Sequence, residues 1–189
     1  MLTKILKWLI YLGLIVGLFI GGEAAYLFGK AQVAQMLLHQ SWQQTLDDGA
    51  EHKPWSWADT YPVAKLINHR TQDSWIVLSG MNGRTMAFGP GWKQDSATPN
   101  QFGNTVIAAH NDSHFSQLQT SQIGDQLSLQ SANGVEFDYK ITHIDVVHQS
   151  DISWFQIEQD MRLTLITCYP FQSNQRNTEQ RYIVQAIAM

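Results

Sequence analysis

The sequence predicts an all-β domain, built as an antiparallel barrel or sandwich, behind a single apolar helix at the N-terminus. Seven short apolar or alternating segments follow residue 60, and Gly, Asn, Asp and Pro residues separate them. No helical segment alternates with these strands, so the connections typical of a parallel sheet are not expected. With 189 residues the chain can bury one sizeable core, which leaves little room for a second domain.

The apolar N-terminal segment is long enough to cross a membrane. Only one lysine interrupts residues 5–22, which as a helix span about 27 Å, close to the hydrocarbon thickness of a bilayer. Two lysines near the start favour a cytoplasmic N-terminus. We therefore expect residues 1–23 to be the cytoplasmic N-terminus and a single-pass transmembrane signal anchor. A cleaved signal peptide is the alternative, because Ala24 and Ala25 offer small residues for cleavage.

Residues 24–49 continue with helical spacing but include polar positions. Apolar residues recur every three or four positions with glutamines between them: Leu27, Ala31, Ala34, Leu38, Trp42 and Leu46. The Asp47-Asp48-Gly49 sequence is a typical helix end. We predict an amphipathic helix, which is either a stalk or a helix packed on the core of the β-domain, residues 50–189.

The segment VEFDYKI shows why strands are expected. Its apolar and charged residues alternate, which is the period of a half-buried strand: Val135, Phe137, Tyr139 and Ile141 against Glu136, Asp138 and Lys140. Asn133-Gly134, directly before it, is a turn signal. The glycine-rich stretch GMNGRTMAFGPG lacks the ending of a phosphate-binding loop, so we interpret it as a series of turns.

Charge and cysteine content exclude some functions. The formal net charge is −4, and no basic stripe is interleaved with aromatic residues, so a nucleic-acid partner is not expected. The chain has one cysteine, Cys168, which cannot form an internal disulfide. In an exported domain this thiol is therefore either buried and inert or exposed and chemically used.

Three residues at the ends of predicted strands can supply acyl-transfer chemistry. Cys168 ends RLTLITC, His110 ends TVIAAH and Arg181 begins RYIVQAIA. Each alone has a common structural explanation, as a buried thiol, a satisfied polar ring or a surface charge. Strand ends that are distant in sequence can converge at one rim of a barrel. There the three residues would offer a nucleophile, a proton donor for a leaving amine and a cation for the oxyanion.

The same motifs resemble the sortase family. The resemblance rests on TLITC, on the histidine that closes TVIAAH, and on the arginine that opens RYIVQA. The stretches PWSWADTYPVAKL, FGPG, FGNTVIAAHNDSHF and TLITCYPF are similar in particular to the class found in Gram-negative bacteria, class GN. Ala109 and Asn111 depart from the family pattern, which usually has Gly before the histidine and Arg after it. The shape and charge of the substrate groove are therefore expected to differ.

The resemblance implies a closed eight-stranded β-barrel and a cysteine transpeptidase. Such an enzyme cleaves an LPXTG-like C-terminal sorting signal of a substrate protein and passes the acyl group to an amine, whose identity the sequence does not reveal. By the same carry-over, Cys168 is the nucleophile, His110 the general acid and then base, and Arg181 the clamp of oxyanion and substrate. Thr167 is a candidate for oxyanion support. No cofactor is implied, and the implied location is the periplasmic side of the inner membrane.

The HNDSH segment holds two further candidate site residues. Asp112 could orient His110 or cap a turn, and His114 could lie in the loop or the substrate groove. A metal site made of these three residues would require one face of a strand, whereas the segment resembles a strand end that enters a loop. The acidic residues considered for calcium show no ligand spacing: Asp138, Asp145, Asp151 and Glu158. We predict no metal site.

Two other classes of function stay open on the residues alone. Another cysteine peptidase or an L,D-transpeptidase-like enzyme is one class, although the papain, caspase and L,D-transpeptidase signatures around the cysteine are absent. The other is a non-catalytic, membrane-anchored β-barrel that binds a peptide along its groove, with Cys168 in a structural role.

Overall fold

A computed structural model of the chain describes residues 2–155, 160–172 and 178–189, with side chains from residue 4 onward. Its internal contacts divide the chain into two units, one that ends at residue 36 and one of residues 37–189. The first unit consists of the N-terminal part of helix α1. The second holds the end of that helix and the whole β-domain.

Helix α1 runs from Leu2 to Asp48 without interruption. The predicted membrane-spanning and amphipathic helices are thus parts of one helix, because no proline lies between them and isolated glycines are tolerated. Within the described ranges it is the one helix whose length and composition would let it cross a membrane. Gly49 ends it in the left-handed conformation (φ 73°), and the Gly49 N–H donates to the Thr45 carbonyl at 2.8 Å.

The last turns of α1 pack on the outside of the β-domain. Leu38 and Trp42 are buried against Ile76 and Leu78 of the second strand, and Leu46 lies at the edge of this contact. For residues 37–48 the structure therefore shows the packed helix rather than the free stalk.

The described residues of the β-domain form eight strands that close into a barrel. In chain order they are β1 Pro62–Asn68, β2 Asp73–Ser79, β3 Gly91–Trp92, β4 Gly103–Ala108, β5 Gln126–Ser131, β6 Glu136–His148, β7 Met161–Tyr169 and β8 Gln180–Ala188. Their order around the barrel is β1–β2–β3–β4–β7–β8–β6–β5, and β5 pairs with β1 to close it. The eight-stranded barrel is confirmed, and the sandwich is excluded.

Two features of the barrel differ from the sequence prediction. The pairs β2–β3 and β4–β7 are parallel. For β4–β7 the reason is that β5 and β6 close the barrel on its other side before the chain returns as β7. Strand β3 begins at Gly91, the last residue of the glycine-rich stretch interpreted as turns, and that stretch also holds the short helix α2, Gly83–Met86. A Cβ at Gly91 would meet the Gly80 carbonyl oxygen at 2.2 Å, so only glycine lets β3 approach β2 this closely.

The barrel interior is mainly apolar, and one of its buried polar groups is the hydroxyl of Tyr139. Its core contains side chains from seven strands, among them Leu66, Val77, Ile107, Leu129, Tyr139, Leu163, Leu165 and Val184. The Tyr139 hydroxyl donates to Asn100 Oδ1 at 3.1 Å, and burial raises the pKa of Tyr139 to about 12. Because side chains alternate along a strand, the residues between these core positions face outward. The outward-facing residues of β4, β7 and β8 include the candidate site.

Candidate active site

Cys168 and Arg181 are direct partners across the pair β7–β8. Directly opposed residues of antiparallel strands point to the same face. Leu163 and Leu165 of β7 fill the core, so the alternation turns Cys168 outward, where its thiol is half-buried. The two side chains therefore lie next to each other on the outer face of the barrel.

His110 extends this row from strand β4. The parallel register pairs Ala108 with Ile166, and the Ala109 N–H donates to the Ile166 carbonyl at 3.2 Å, so the ladder continues past the end of β4. Two residues after Ala108, His110 comes level with Cys168 on the same outer face. Adjacent strands lie about 4.8 Å apart. The three neighbouring strands thus present what we call the His–Cys–Arg row.

Two further hydrogen bonds fasten the end of β4 to the end of β7. The Thr167 hydroxyl donates to the Ala109 carbonyl at 2.7 Å, and the Asn111 side-chain amide donates to the Pro170 carbonyl at 3.0 Å. These contacts lie on either side of the histidine and the cysteine, so they fix the distance between the two. Of the two departures from the sortase pattern, Asn111 takes part through its side chain, whereas Ala109 takes part only through its backbone carbonyl.

Thr167 does not face the row. It is only 2% exposed, and its hydroxyl is engaged by the Ala109 carbonyl on the core side of β7. The sequence-based expectation that this side chain supports the oxyanion does not fit this geometry, because the residue next to an outward-facing cysteine points inward. The structure instead makes Thr167 a positioning residue for the segment that carries His110.

Arg181 is held by the chain around the rim of the barrel. Its Nη1 donates to the carbonyls of Thr178 at 2.6 Å and Gln180 at 2.9 Å, and its Nη2 donates to Gln149 Oε1 at 3.0 Å. The Gln149 N–H in turn donates to the Glu179 carbonyl at 2.6 Å. Within the part of the chain that the structure describes, no hydrogen bond joins the three side chains of the row directly. Sequence reasoning missed Gln149, because an exposed glutamine in a loop carries no pattern that identifies a distant partner.

The turn after His110 brings His114 back toward it. The Phe115 N–H donates to the His110 carbonyl at 3.0 Å, which closes the turn, and Asp112 is exposed at its surface. Burial lowers the pKa of His114, against the effect of a hydrogen bond to the Ala87 carbonyl. Positive charge on His110 lowers the pKa of His114 further. His114 is thus close enough to His110 for the two rings to interact electrostatically.

The burial of His114 predicts a pH-dependent stability. Its folded pKa is lowered, so the unfolded chain binds more protons below the ordinary imidazole value of about 6.5. The stability contributed by the neutral ring is therefore complete above about pH 6.5 and is lost as the pH falls through the folded pKa. We expect the melting temperature of His114→Gln to fall less steeply than that of the wild type between pH 7 and pH 5. Equal slopes in thermal unfolding would contradict this.

An apolar surface extends from the row along the same outer face. Its residues lie two or four positions from members of the row and form what we call the apolar floor: Val106, Ala108, Ile166 and Ile183. Trp154 and Phe155 pack against this floor from a 3₁₀ turn, Ser153–Phe155, between β6 and β7. The floor is therefore bounded at one end by the row and covered in part by the turn.

The described part of the chain contains no group of three or more His, Cys, Asp or Glu side chains that could hold a metal. Glu158, one of the acidic residues considered for calcium, lies outside the described residues.

Comparison with known proteins identifies the family. Residues 69–188 match the sortase domain. The chain is 33% identical over 109 residues to sortase D of Bacillus subtilis (strain 168), an alignment that covers 57% of this chain and 54% of that relative. The chain thus aligns with about half of that relative's length. Because the domain match covers more than half of the chain, the chain belongs to the sortase family, whose members are cysteine transpeptidases.

Solved structures show the same fold. The chain is similar to sortase A from Corynebacterium diphtheriae, with a TM-score of 0.64 and 18% identity over 84% of each chain. It is also similar to a Clostridium perfringens sortase D5 transpeptidase, with a TM-score of 0.60 and 20% identity over 80% of this chain and 88% of that one. At these identities the similarity concerns the fold alone.

Proposed function

We propose that this chain is a membrane-anchored cysteine transpeptidase that cleaves an LPXTG-like C-terminal sorting signal and transfers the acyl group to an amine. The observation that carries the proposal is the register of three adjacent strands, in which Cys168 lies opposite Arg181 and the pair Ala108–Ile166, continued by two residues, brings His110 level with Cys168. Membership of the sortase family supports the same class of reaction.

Acylation uses each member of the row. Cys168 attacks as the thiolate: its Sγ forms a C–S bond with the carbonyl carbon of the scissile amide, and a pair of electrons moves onto the carbonyl oxygen. The guanidinium group of Arg181 stabilises this oxyanion. His110 donates a proton to the amide nitrogen as the C–N bond breaks and the amine leaves. The product of this step is a thioacyl enzyme.

Transfer repeats these steps with a different amine. The nitrogen of the incoming amine attacks the thioester carbon, and the now neutral His110 takes a proton from that nitrogen. A second oxyanion forms beside Arg181 and collapses, and the C–S bond breaks to release Cys168. Water in place of the amine would give hydrolysis, so access of water to the row decides between the two products.

The surroundings of the row are suited to an extended peptide. Of the apolar floor, Ala108 is partly exposed two residues from His110 and can contact an apolar side chain of a sorting signal, whereas Val106, Ile166 and Ile183 are buried. Asp112 and His114, in the turn after His110, are proposed to border the groove on the β4 side.

We place the protein in the Gram-negative class, with its barrel on the periplasmic side of the inner membrane. The resemblance of the sequence motifs to class GN supports the class, and the length and composition of α1 with lysines near its start support the topology.

Protease added to spheroplasts should remove the barrel, and the mature chain should still begin near its first residue. A chain that begins near Tyr26 would instead show a cleaved signal.

The reaction itself is tested with the full-length chain in detergent. A panel of LPXTG-like peptides is incubated with and without an added amine, and the products are identified by mass. We expect an acyl–amine conjugate that wild-type chain forms and Cys168→Ala does not. Peptide binding without cleavage, unaffected by Cys168→Ala, would identify a peptide-binding module instead.

A further inference from the structure

Three polar side chains are buried on the outer face of the barrel. Asn104 of β4, Thr164 of β7 and Gln185 of β8 are 3%, 0% and 8% exposed. Each lies an even number of residues from a member of the His–Cys–Arg row, so the three share its face. Thr164 and Gln185 are also direct partners across β7–β8. Outward-facing polar residues of a barrel are ordinarily solvated, so their burial requires a cover.

The cover is the turn Ser153–Phe155, and the polar side chains bind one of its carbonyls. Asn104 Nδ2 donates to the Trp154 carbonyl at 3.0 Å, and Gln185 Nε2 donates to the same oxygen at 3.1 Å. The Thr164 hydroxyl donates to Asn104 Oδ1 at 2.7 Å, and Gln185 Nε2 lies 3.4 Å from the Thr164 hydroxyl. Three strands and one loop carbonyl are thus joined in a single hydrogen-bonded network.

Apolar contacts hold the same turn. Trp154 and Phe155 pack against the apolar floor, and the Lys93 ammonium lies 4.5 Å from the centre of the Phe155 ring. A buried polar network must overcome its own desolvation, so its net contribution to stability is small compared with that of apolar packing. Its hydrogen bonds, however, are satisfied in one arrangement only. The network therefore determines where the turn lies more than whether the barrel folds.

The turn Ser153–Phe155 matters for peptide binding because an extended peptide can span its distance from the Cys168 thiol. Thr164 lies four residues before Cys168 on the same strand, which corresponds to about 13 Å, or about four residues of an extended peptide. We propose that Asn104, Thr164 and Gln185 form a lock that fixes the turn Ser153–Phe155, and with it the end of the peptide site that lies farthest from Cys168. The effect on peptide selection depends on the proposed function, whereas the lock itself does not.

Two variants each remove one hydrogen-bonding group of the lock. Gln185→Leu removes one donor to the Trp154 carbonyl, and Thr164→Val removes the hydroxyl that aligns Asn104. Gln126→Leu, at an exposed glutamine of β5, is the matched control. The full-length chain in detergent is digested with chymotrypsin under native conditions, and cleavage after Trp154 or Phe155 is followed by mass. Melting temperatures are measured in parallel to separate local opening from unfolding of the barrel.

Proteolysis of a native chain follows the population of the opened segment. Gln185→Leu loses a hydrogen bond to the turn, and Thr164→Val loses the one that aligns Asn104 with it. Each variant should therefore accelerate this cleavage by roughly tenfold, without faster cleavage elsewhere in the barrel. The control should be cleaved at the wild-type rate. Unchanged cleavage of both lock variants, or acceleration at every site in the barrel, would overturn the lock.

Kinetics test the consequence for the peptide site. Both lock variants should raise the KM for a sorting-signal peptide by roughly fivefold, with kcat within about threefold of the wild type and with an unchanged rate of Cys168 alkylation by iodoacetamide. Faster cleavage of the turn with an unchanged KM would overturn the role of the lock in the peptide site. A wild-type chain that turns over none of the peptides would refute the proposed function, whereas the proteolysis would still decide on the lock.

Discussion

Iodoacetamide added to the folded full-length chain should label Cys168 and abolish transpeptidation. The thiol is half-buried on the outer face beside Arg181, so both the reagent and a peptide carbonyl can reach it. Cys168→Ala removes the nucleophile, and the loss of a covalent nucleophile typically lowers the rate by roughly 10⁴-fold or more. Because the chain has a single cysteine, intact mass reports the labelling directly, and turnover is measured on the same sample.

Two controls distinguish chemistry from structure in this experiment. Cys168→Ala should melt at the wild-type temperature and bind the peptide with the wild-type Kd, because the apolar floor is unchanged. Denatured wild-type chain gives the reference for complete labelling. If labelling requires denaturation, Cys168 is a buried structural thiol and the proposed mechanism fails.

Most of the barrel is predictable because burial of one face leaves a period of two in the sequence. In β6 the alternation marks a strand whose Tyr139 and Ile141 do fill the core. Strand β3, Gly91–Trp92, is too short to show a period. It can pair with β2 because Gly91 has no side chain, and no hydrophobic pattern marks this pairing in the sequence. The parallel pair β4–β7 could not be predicted either, because local periodicity does not determine which strands become neighbours.

Helix α1 shows a different limit of prediction from sequence. Its apolar and amphipathic segments were both predictable from composition and from the spacing of apolar residues. The two segments join into α1, Leu2–Asp48, because no helix-breaking residue separates them. The change from an apolar to a mixed composition made them look like two helices. That Leu38 and Trp42 bind to the barrel depends on the outward-facing Ile76 and Leu78, which the sequence did not distinguish from core residues.

For the candidate site, the sequence indicated the three row residues but not the groups that hold them. Gln149 and Gln185 look like ordinary surface residues, and they acquire partners only through the pairing of β6 with β8 and through the covering turn. For Thr167 the structure gives an orientation that its place in the sequence did not suggest. Its place next to Cys168 suggested a role in the chemistry, whereas the alternation of the strand turns its side chain to the core.

Arg181→Lys and His110→Ala should both be slow with an amide peptide, for different reasons. Lysine keeps the charge but loses the planar group that donates to the Thr178 carbonyl and to Gln149, so the oxyanion clamp is misplaced. Loss of such an oxyanion donor typically lowers the rate by roughly 100- to 1000-fold. Without His110 the leaving amine is not protonated, and loss of a general acid typically lowers the rate by roughly 10²- to 10⁴-fold.

A thioester of the same acyl sequence should separate the two roles. A thiolate leaves without protonation, so His110→Ala should recover most of its acylation rate. Arg181→Lys should stay slow, because an oxyanion still forms at the carbonyl whichever group leaves. The measurement is burst-phase acylation with matched amide and thioester peptides, and Arg162→Lys, six residues before Cys168 in β7, controls for the exchange of arginine for lysine. Equal rescue of both row variants, or of neither, would show that the proposed division of labour is wrong even in a chain that acts as a transpeptidase.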